Sequence, residues 1–307
     1  MKRRDFLKKS VGAGIFAGSL ISLGGYGKIF ADTTNNDALP YDLVAVKGGE
    51  PEKMFDRSME AMGGMRNFVK PGQTVVVKPN IGWDVIPERA ANTNPALVKR
   101  IIEHCFEAGA KKVYVFDHTC DDWKKCYKNS GIEKAAKDAG ATVAPGHTEG
   151  YYQHVDIPHG ENLTEAKEHE LILDSDVFIN VPILKNHGSA RLTVAMKNLM
   201  GIVWDRRFWH RNDLHQCIAD YSSYRKPDLN IVDAYRVMLR NGPRGVSEAD
   251  VRTMKYQIVS DDMVAADASA AKIFGTSPQK VRHIKIAGNE GYGQIDLSKL
   301  NIGRLKM

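Results

Sequence analysis

Cysteine is scarce in this chain and poorly spaced for metal work. The four, Cys105, Cys120, Cys126 and Cys217, include no CxxC pair. That argues against a ferredoxin-type iron–sulfur cluster and against a structural zinc built on cysteine. GxGxxG, a P-loop and GxSxG are also missing, so nucleotide-binding and serine-hydrolase readings lack their usual marks. No HExxH fixes a zinc site. The N-terminal apolar run, Val11 to Gly25, is short of the roughly 20 residues that a membrane-spanning helix needs. After Ala31 no five basic residues occur in a row.

What is present begins with Arg3-Arg4-Asp5-Phe6-Leu7-Lys8-Lys9 ahead of that apolar run, and Ala31 behind it. Charge, apolar core and small residue in this order are the pattern of an export signal, here of the twin-arginine (Tat) type. Residues 1–31 read as the signal, 32–41 as a polar linker and 42–307 as a single α/β domain. The implied partner is the Tat export machinery. The implied location is the periplasm, with cleavage after Ala31 leaving residues 32–307; the alternative is an uncleaved signal that tethers the protein to the membrane. The signal also accounts for the charge. Lys2, Arg3, Arg4, Lys8, Lys9 and Lys28 against Asp5 carry +5 of the chain's +6. The remainder is nearly neutral, so nucleic acid is not an expected partner. In an oxidising periplasm Cys120 and Cys126 are candidates to pair. Cys105 and Cys217 fall on apolar helix faces and read as core.

Strand and helix patterns alternate along the body. Leu43–Lys47 and residues 74–77 read as strands, with a helix over 51–65 between them. Asn94 and Pro95 open the clearest helix, whose stripe is Val98, Ile101, Ile102, Cys105 and Phe106, and Gly109 closes it. A strand follows at 112–116. Ser130 and Glu133 form a capping box for the next helix, which Gly140 stops. Residues 145–170 break the rhythm and read as an irregular insertion or lid. Val177–Val181 is a buried strand. Leu192, Ala195, Met196, Leu199, Met200 and Val203 give the stripe of a long helix, and another helix covers 212–224. Strands at 229–232 and 257–260, a helix over Met263–Phe274 and a strand at 283–287 complete the pattern. Such alternation predicts an α/β fold, a mostly parallel sheet with helices on both faces.

The strands end alike. Residues 75–77 run into Lys78-Pro79-Asn80, and 113–116 into Asp117-His118. Val177–Val181 leads to Lys185-Asn186-His187, and 231–232 to Asp233. In an open parallel sheet these carboxyl ends share one edge, where ligands bind. Further along come Lys197-Asn198, Gly201, and a loop from Trp204 to His215 holding two tryptophans, three arginines and two histidines. Arginine presents a donor fork suited to carboxylate or phosphate. Asn241-Gly242-Pro243-Arg244-Gly245 offers backbone amides to an anion, or is only a turn.

The ordered set Lys78-Pro79-Asn80, residues 94–98, 107–113, 176–187, 197–201, 230–234, 241–243 and 262–275 resembles the family catalogued as "domain of unknown function 362", in its Tat-exported branch. The resemblance spans about residues 74–275. Some members carry ferredoxin-like cysteine clusters and are described as iron–sulfur proteins; this chain lacks those cysteines. Members usually show lysine-threonine-histidine where this chain has Lys185-Asn186-His187.

The expected function is an exported enzyme acting on a small anionic molecule at the carboxyl edge of the sheet. Asp117, His187 and Lys185 are the candidate catalytic residues. Lys78, Asn80, Lys197, Asn198, Arg206 and Arg244 are candidates to bind the anion. His118, His210 and His215 are candidates to hold a divalent metal. The alternatives are a non-catalytic periplasmic anion-binding or sensor protein, and an iron–sulfur-associated redox partner.

Overall fold

The first strand, β1 (Leu43–Lys47), opens a computed structural model that describes residues 38–307. Pro51 starts α1 (Pro51–Ala61) at its first helical position. Gly63 and Gly64, both at positive φ, stop it short of residue 65, and Met65–Asn67 form a separate 3-10 turn. Next come β2 (Thr74–Pro79) and α2 (Pro95–Glu107), the latter capped as expected: the Asn94 side chain accepts from Ala96 N at 2.9 Å. β3 (Lys112–Val115), α3 (Trp123–Asn129) and α4 (Ile132–Asp138) follow. The Ser130/Glu133 capping box does not form. Gly131, at φ 74°, is the N-cap, and Ser130 Oγ accepts from Ile132 N at 3.3 Å instead.

After β4 (Thr142–Val143) the expected irregular insertion is an ordered hairpin, β5 (Tyr152–Asp156) against β6 (Glu165–His169), running into α5 (Glu170–Asp174). Pro182 divides β7 (Val177–Val181) from β8 (Ile183–His187), and β9 (Arg191–Thr193) folds back on β8. The long helix expected over 192–203 is absent. Leu192 lies in β9, α6 spans only Ala195–Asn198, and Leu199–Ile202 tighten into a 3-10 turn. That segment is apolar because it crosses the core with nearly every residue buried, not because one helical face is.

Asp205 and Asp213 cap α7 (Arg206–Arg211) and α8 (Leu214–Tyr224). β10 (Leu229–Met238) and β11 (Val251–Ser260) run longer than expected and pair antiparallel. α9 (Met263–Phe274) ends at Gly275 in the left-handed region, as its sequence predicts, and Asp262 caps its start. The strand expected at 283–287 is instead part of a helix, α10 (Arg282–Asn289). His283, Ile284 and Ala287 are its buried residues, a helical spacing. β12 (Ile302–Lys306) has no counterpart in the sequence reading.

The main sheet runs β12-β1-β11-β10-β7-β2-β3-β4. From β10 to β4 every neighbour is parallel; β11 is antiparallel to both β10 and β1. Successive residues face opposite cores, as the pleat requires. Val76, Phe178, Val232 and Ile258 enter one core with α8, α9 and α10. Val75, Val77, Ile179, Val181 and Ile231 enter the other with α1, α2 and α4. The protein is thus α/β, with helices on both faces of a mostly parallel sheet. All four cysteines are free thiols; Cys120 is exposed and the other three are buried, so the anticipated Cys120–Cys126 pair is not formed.

Candidate functional site

Parallel strands end on the same side, and here β2, β3 and β8 bring Lys78, Asp117, Lys185 and His187 to one crevice of about 430 Å³. Lys185 and His187 sit two apart in β8 and therefore share a face. Asn186 between them takes a structural part, its Oδ1 accepting from Gly242 N at 3.0 Å. α6 adds Lys197 and Asn198, and α7 adds Arg206, Arg207 and His210. The lining holds five cationic side chains, Lys78, Lys185, Lys197, Arg206 and Arg207, against one carboxylate, Asp117.

That carboxylate is already engaged. Asp117 Oδ1 lies 2.9 Å from Lys78 Nζ, both side chains being buried, and Oδ2 accepts from Ile81 N at 2.6 Å. Burial lowers the Lys78 amine from its usual value against the pull of Asp117. Gly201 packs on this pair so closely that a Cβ there would lie 1.8 Å from Asp117 Oδ1. Lys185 has no carboxylate partner among the described residues. Its Nζ donates to Ala91 O at 2.5 Å and to Asn80 Oδ1 at 3.1 Å. Burial pushes it down to about 7, and nearby Lys197 and Lys78 push the same way. Lys197 is pushed down to about 8, again chiefly by burial. Near neutral pH this crevice therefore carries amines that readily gain or lose a proton.

A row of amides fixes the position of Lys185. Asn80 Nδ2 donates to Asn198 Oδ1 at 2.9 Å, Asn198 Nδ2 to Asn180 Oδ1 at 2.8 Å, and Asn180 Nδ2 to Asn230 Oδ1 at 3.0 Å. Each amide in the row donates to the next one along, which leaves the acceptor Asn80 Oδ1 for the lysine. Asn180 and Asn230 were missed in the sequence. The signal was there: Asn180 is the one polar residue of β7 and Asn230 sits in the apolar start of β10, both fully buried, where an unpartnered polar group costs too much to persist.

The histidines divide among several tasks. His187 Nδ1 accepts from Ala190 N at 3.2 Å, which leaves the proton on Nε2 as a donor for the crevice. Burial pushes this ring down to about 2, with Lys197 and Lys185 adding to the shift, so it stays neutral. His118 Nδ1 donates to Val203 O at 3.0 Å, and the ring stacks on Trp204. His210 stacks on His187 with ring centres 6.4 Å apart. His215 turns away to His283, Nδ1 to Nδ1 at 3.1 Å. The three proposed metal ligands His118, His210 and His215 are thus not brought together. Among the described residues no group of three His, Cys, Asp or Glu is placed to hold a metal ion.

Other expectations shift in detail. Arg206 reaches the crevice, but its guanidinium donates to His118 O and Thr119 O, each at 2.7 Å, and so braces the loop after β3. Arg244 is outside the lining and pairs with Asp121 at 3.4 Å. Asp233 is not at a strand end, because β10 continues to Met238; its carboxylate accepts from Asn94 N at 2.8 Å. Arg207 and Cys120 line the crevice without having been singled out for it.

Residues 75–272 match the family described as "Domain of unknown function (DUF362)". The chain belongs to this family. A curated relative of this DUF362 protein, a thylakoid-associated protein of Synechocystis sp., is 28% identical over 231 residues, covering 73% of this chain and 70% of the relative. Among solved structures, the lactate racemase apoprotein of Thermoanaerobacterium thermosaccharolyticum aligns with a TM-score of 0.46 at 11% identity, over 69% of this chain and 53% of the racemase. A protein of Thermotoga maritima aligns with the same TM-score and identity, over 78% of this chain and 60% of that one. The DUF362 chain thus spans little more than half the length of these solved structures.

Proposed function

We propose that this protein binds a small oxyanion in the crevice at the carboxyl edge of its sheet and transfers a proton to or from it through Lys185. One observation carries the reading: five cations converge on a cavity whose single carboxylate is held by Lys78. An anion is the natural counter-charge for such a site. Lys197 and Arg207 supply attraction. His187 Nε2 supplies a neutral hydrogen-bond donor. Lys185, held at a fixed point and poised near neutrality, is the group able to exchange a proton with the bound molecule. A divalent metal does not fit this donor set, since its nearest neighbours would be ammonium and guanidinium groups.

Titration of the protein with sulfate and with methylphosphonate tests binding; Lys185→Met is expected to weaken both. Incubation of bound small carboxylates in D2O tests chemistry. Deuterium appearing on carbon supports proton transfer. Ligands recovered unlabelled favour a second reading, an anion-binding or sensor protein. The engagement of Asp117 by Lys78 favours that reading, because it leaves no free carboxylate in the crevice. Absence of any anion binding sinks both.

We also propose that the protein is exported by the Tat machinery. The support is residues 3–9 and the apolar run behind them, which lie outside the described residues. No helix among the described residues is long and apolar enough to cross a membrane. The thylakoid-associated relative is compatible with a life beside a membrane. Cell fractionation with Arg3→Lys/Arg4→Lys as control tests this. Retention of the double variant in the cytoplasm is the expected result.

A further inference from the structure

A second, larger hollow of about 880 Å³ adjoins the crevice. His118, Cys120, Arg206 and Arg207 line both. Its far wall is the β5–β6 hairpin and its floor is the turn from Trp204 into α7. The two hollows differ in charge. The inner one has five cations to one carboxylate. The outer one is balanced, with Lys167, Arg206 and Arg207 against Glu149, Glu165 and Asp205. Its acids are also engaged locally: Glu149 pairs with Lys167, Glu165 Oε2 with His154 Nε2 at 2.9 Å, and Asp205 caps α7.

Apolar surface is left open in the outer hollow. Phe208 is 40% exposed there although α7 has a buried side that takes Trp209. Trp204 lines the same hollow, held flat against the His118 ring at 4.8 Å and 3°. An aromatic wall with no net charge next to a cationic crevice is the lining expected for a ligand with two unlike ends. A bare inorganic anion would leave the outer hollow unused.

We propose that the two hollows are one binding site, and that its ligand is an organic oxyanion whose charged head enters the crevice while a planar apolar body lies against Phe208 and Trp204. This deepens the anion-binding reading and rests on it. Arg206 acts as the hinge post between the halves, since its two hydrogen bonds to the loop after β3 fix the wall they share.

Methylphosphonate and phenylphosphonate present the same head with and without a ring. Calorimetric titration of the full chain is expected to show phenylphosphonate binding about tenfold or more tightly, the range of a good aromatic contact. Phe208→Ala is expected to erase that difference while leaving methylphosphonate affinity unchanged; the residue is exposed, so the variant should fold. Equal affinities in the wild-type protein would overturn the two-part site and leave the crevice reading standing. Failure of both ligands to bind would overturn both readings.

Discussion

Gly201 is the residue whose replacement the geometry judges most severely. A Cβ built there falls 1.8 Å from Asp117 Oδ1 and 2.6 Å from Lys78 Nζ. Ordinary contact needs about 3.4 Å or more, so Gly201→Ala must part the 2.9 Å pair or displace the turn that carries it. Both partners are buried, and the loop has no slack because Gly201 O accepts from His118 N at 2.9 Å. Separating a buried pair leaves an uncompensated charge and costs about 3–5 kcal/mol. For a domain of this size each kcal/mol is worth roughly 2–3 °C, so the melting temperature should fall by about 6–15 °C. Thermal unfolding followed by circular dichroism measures this, with Gly150→Ala as control because nothing lies within 4 Å of a Cβ there. Sulfate should also lose much of its stabilising effect on the variant, since the crevice would be reshaped. A Gly201→Ala protein that melts within about 1 °C of the wild type and still responds to sulfate would refute the packing argument.

Sulfate binding should depend on pH in one direction. An anion favours the protonated amines, and burial lowers Lys185 to about 7 and Lys197 to about 8, so affinity holds below pH 7 and declines as pH rises through 8. Calorimetry at pH 6.5 and 9 checks this; sulfate keeps its own charge across that range, and a flat profile would rule out the lysines as the binding groups. Asp267 makes the opposite kind of prediction for stability. Burial raises its carboxyl to about 8, above its unfolded value, so its contribution is full below about pH 4 and is lost as pH climbs through 8. Asp267→Asn, which keeps an acceptor for Ala195 N, should gain on the wild type by up to about 1.4 kcal/mol per pH unit between pH 5 and 8. Urea unfolding at both values tests it, and parallel curves would count against the assignment.

Local signals were the legible ones. The start of α2 at Asn94 and Pro95 and the end of α9 at Gly275 were legible because these residues cap, open or end helices by their own chemistry, although α2 stops at Glu107, two residues before Gly109. The candidate crevice was legible in part for a topological reason: parallel strands deliver their last residues to one edge, so Lys78, Asp117, Lys185 and His187 meet without any motif joining them. What failed was whatever depends on partners distant in sequence. The stripe over 192–203 looked helical because burial on every side mimics any period. The 283–287 segment is short enough to pass for a strand, although His283, Ile284 and Ala287 fit one face of a helix. The pairing of Asp117 with Lys78, and the use of Arg206 to brace backbone carbonyls, are three-dimensional facts that spacing does not encode.

The two ends of the described chain lie side by side as a hem. β1 and β12 run parallel, and β1 covers Tyr256–Ser260 of β11 in antiparallel register. The segment that matches the family, 75–272, contains neither of these strands. A piece trimmed to that segment would keep every residue of the crevice, yet it would leave Tyr256-Gln257-Ile258-Val259-Ser260 as a raw edge of unpaired amides and carbonyls, ready to join another copy. The family segment holds every residue that lines the crevice, and the flanking strands cover the side of β11 that faces away from β10.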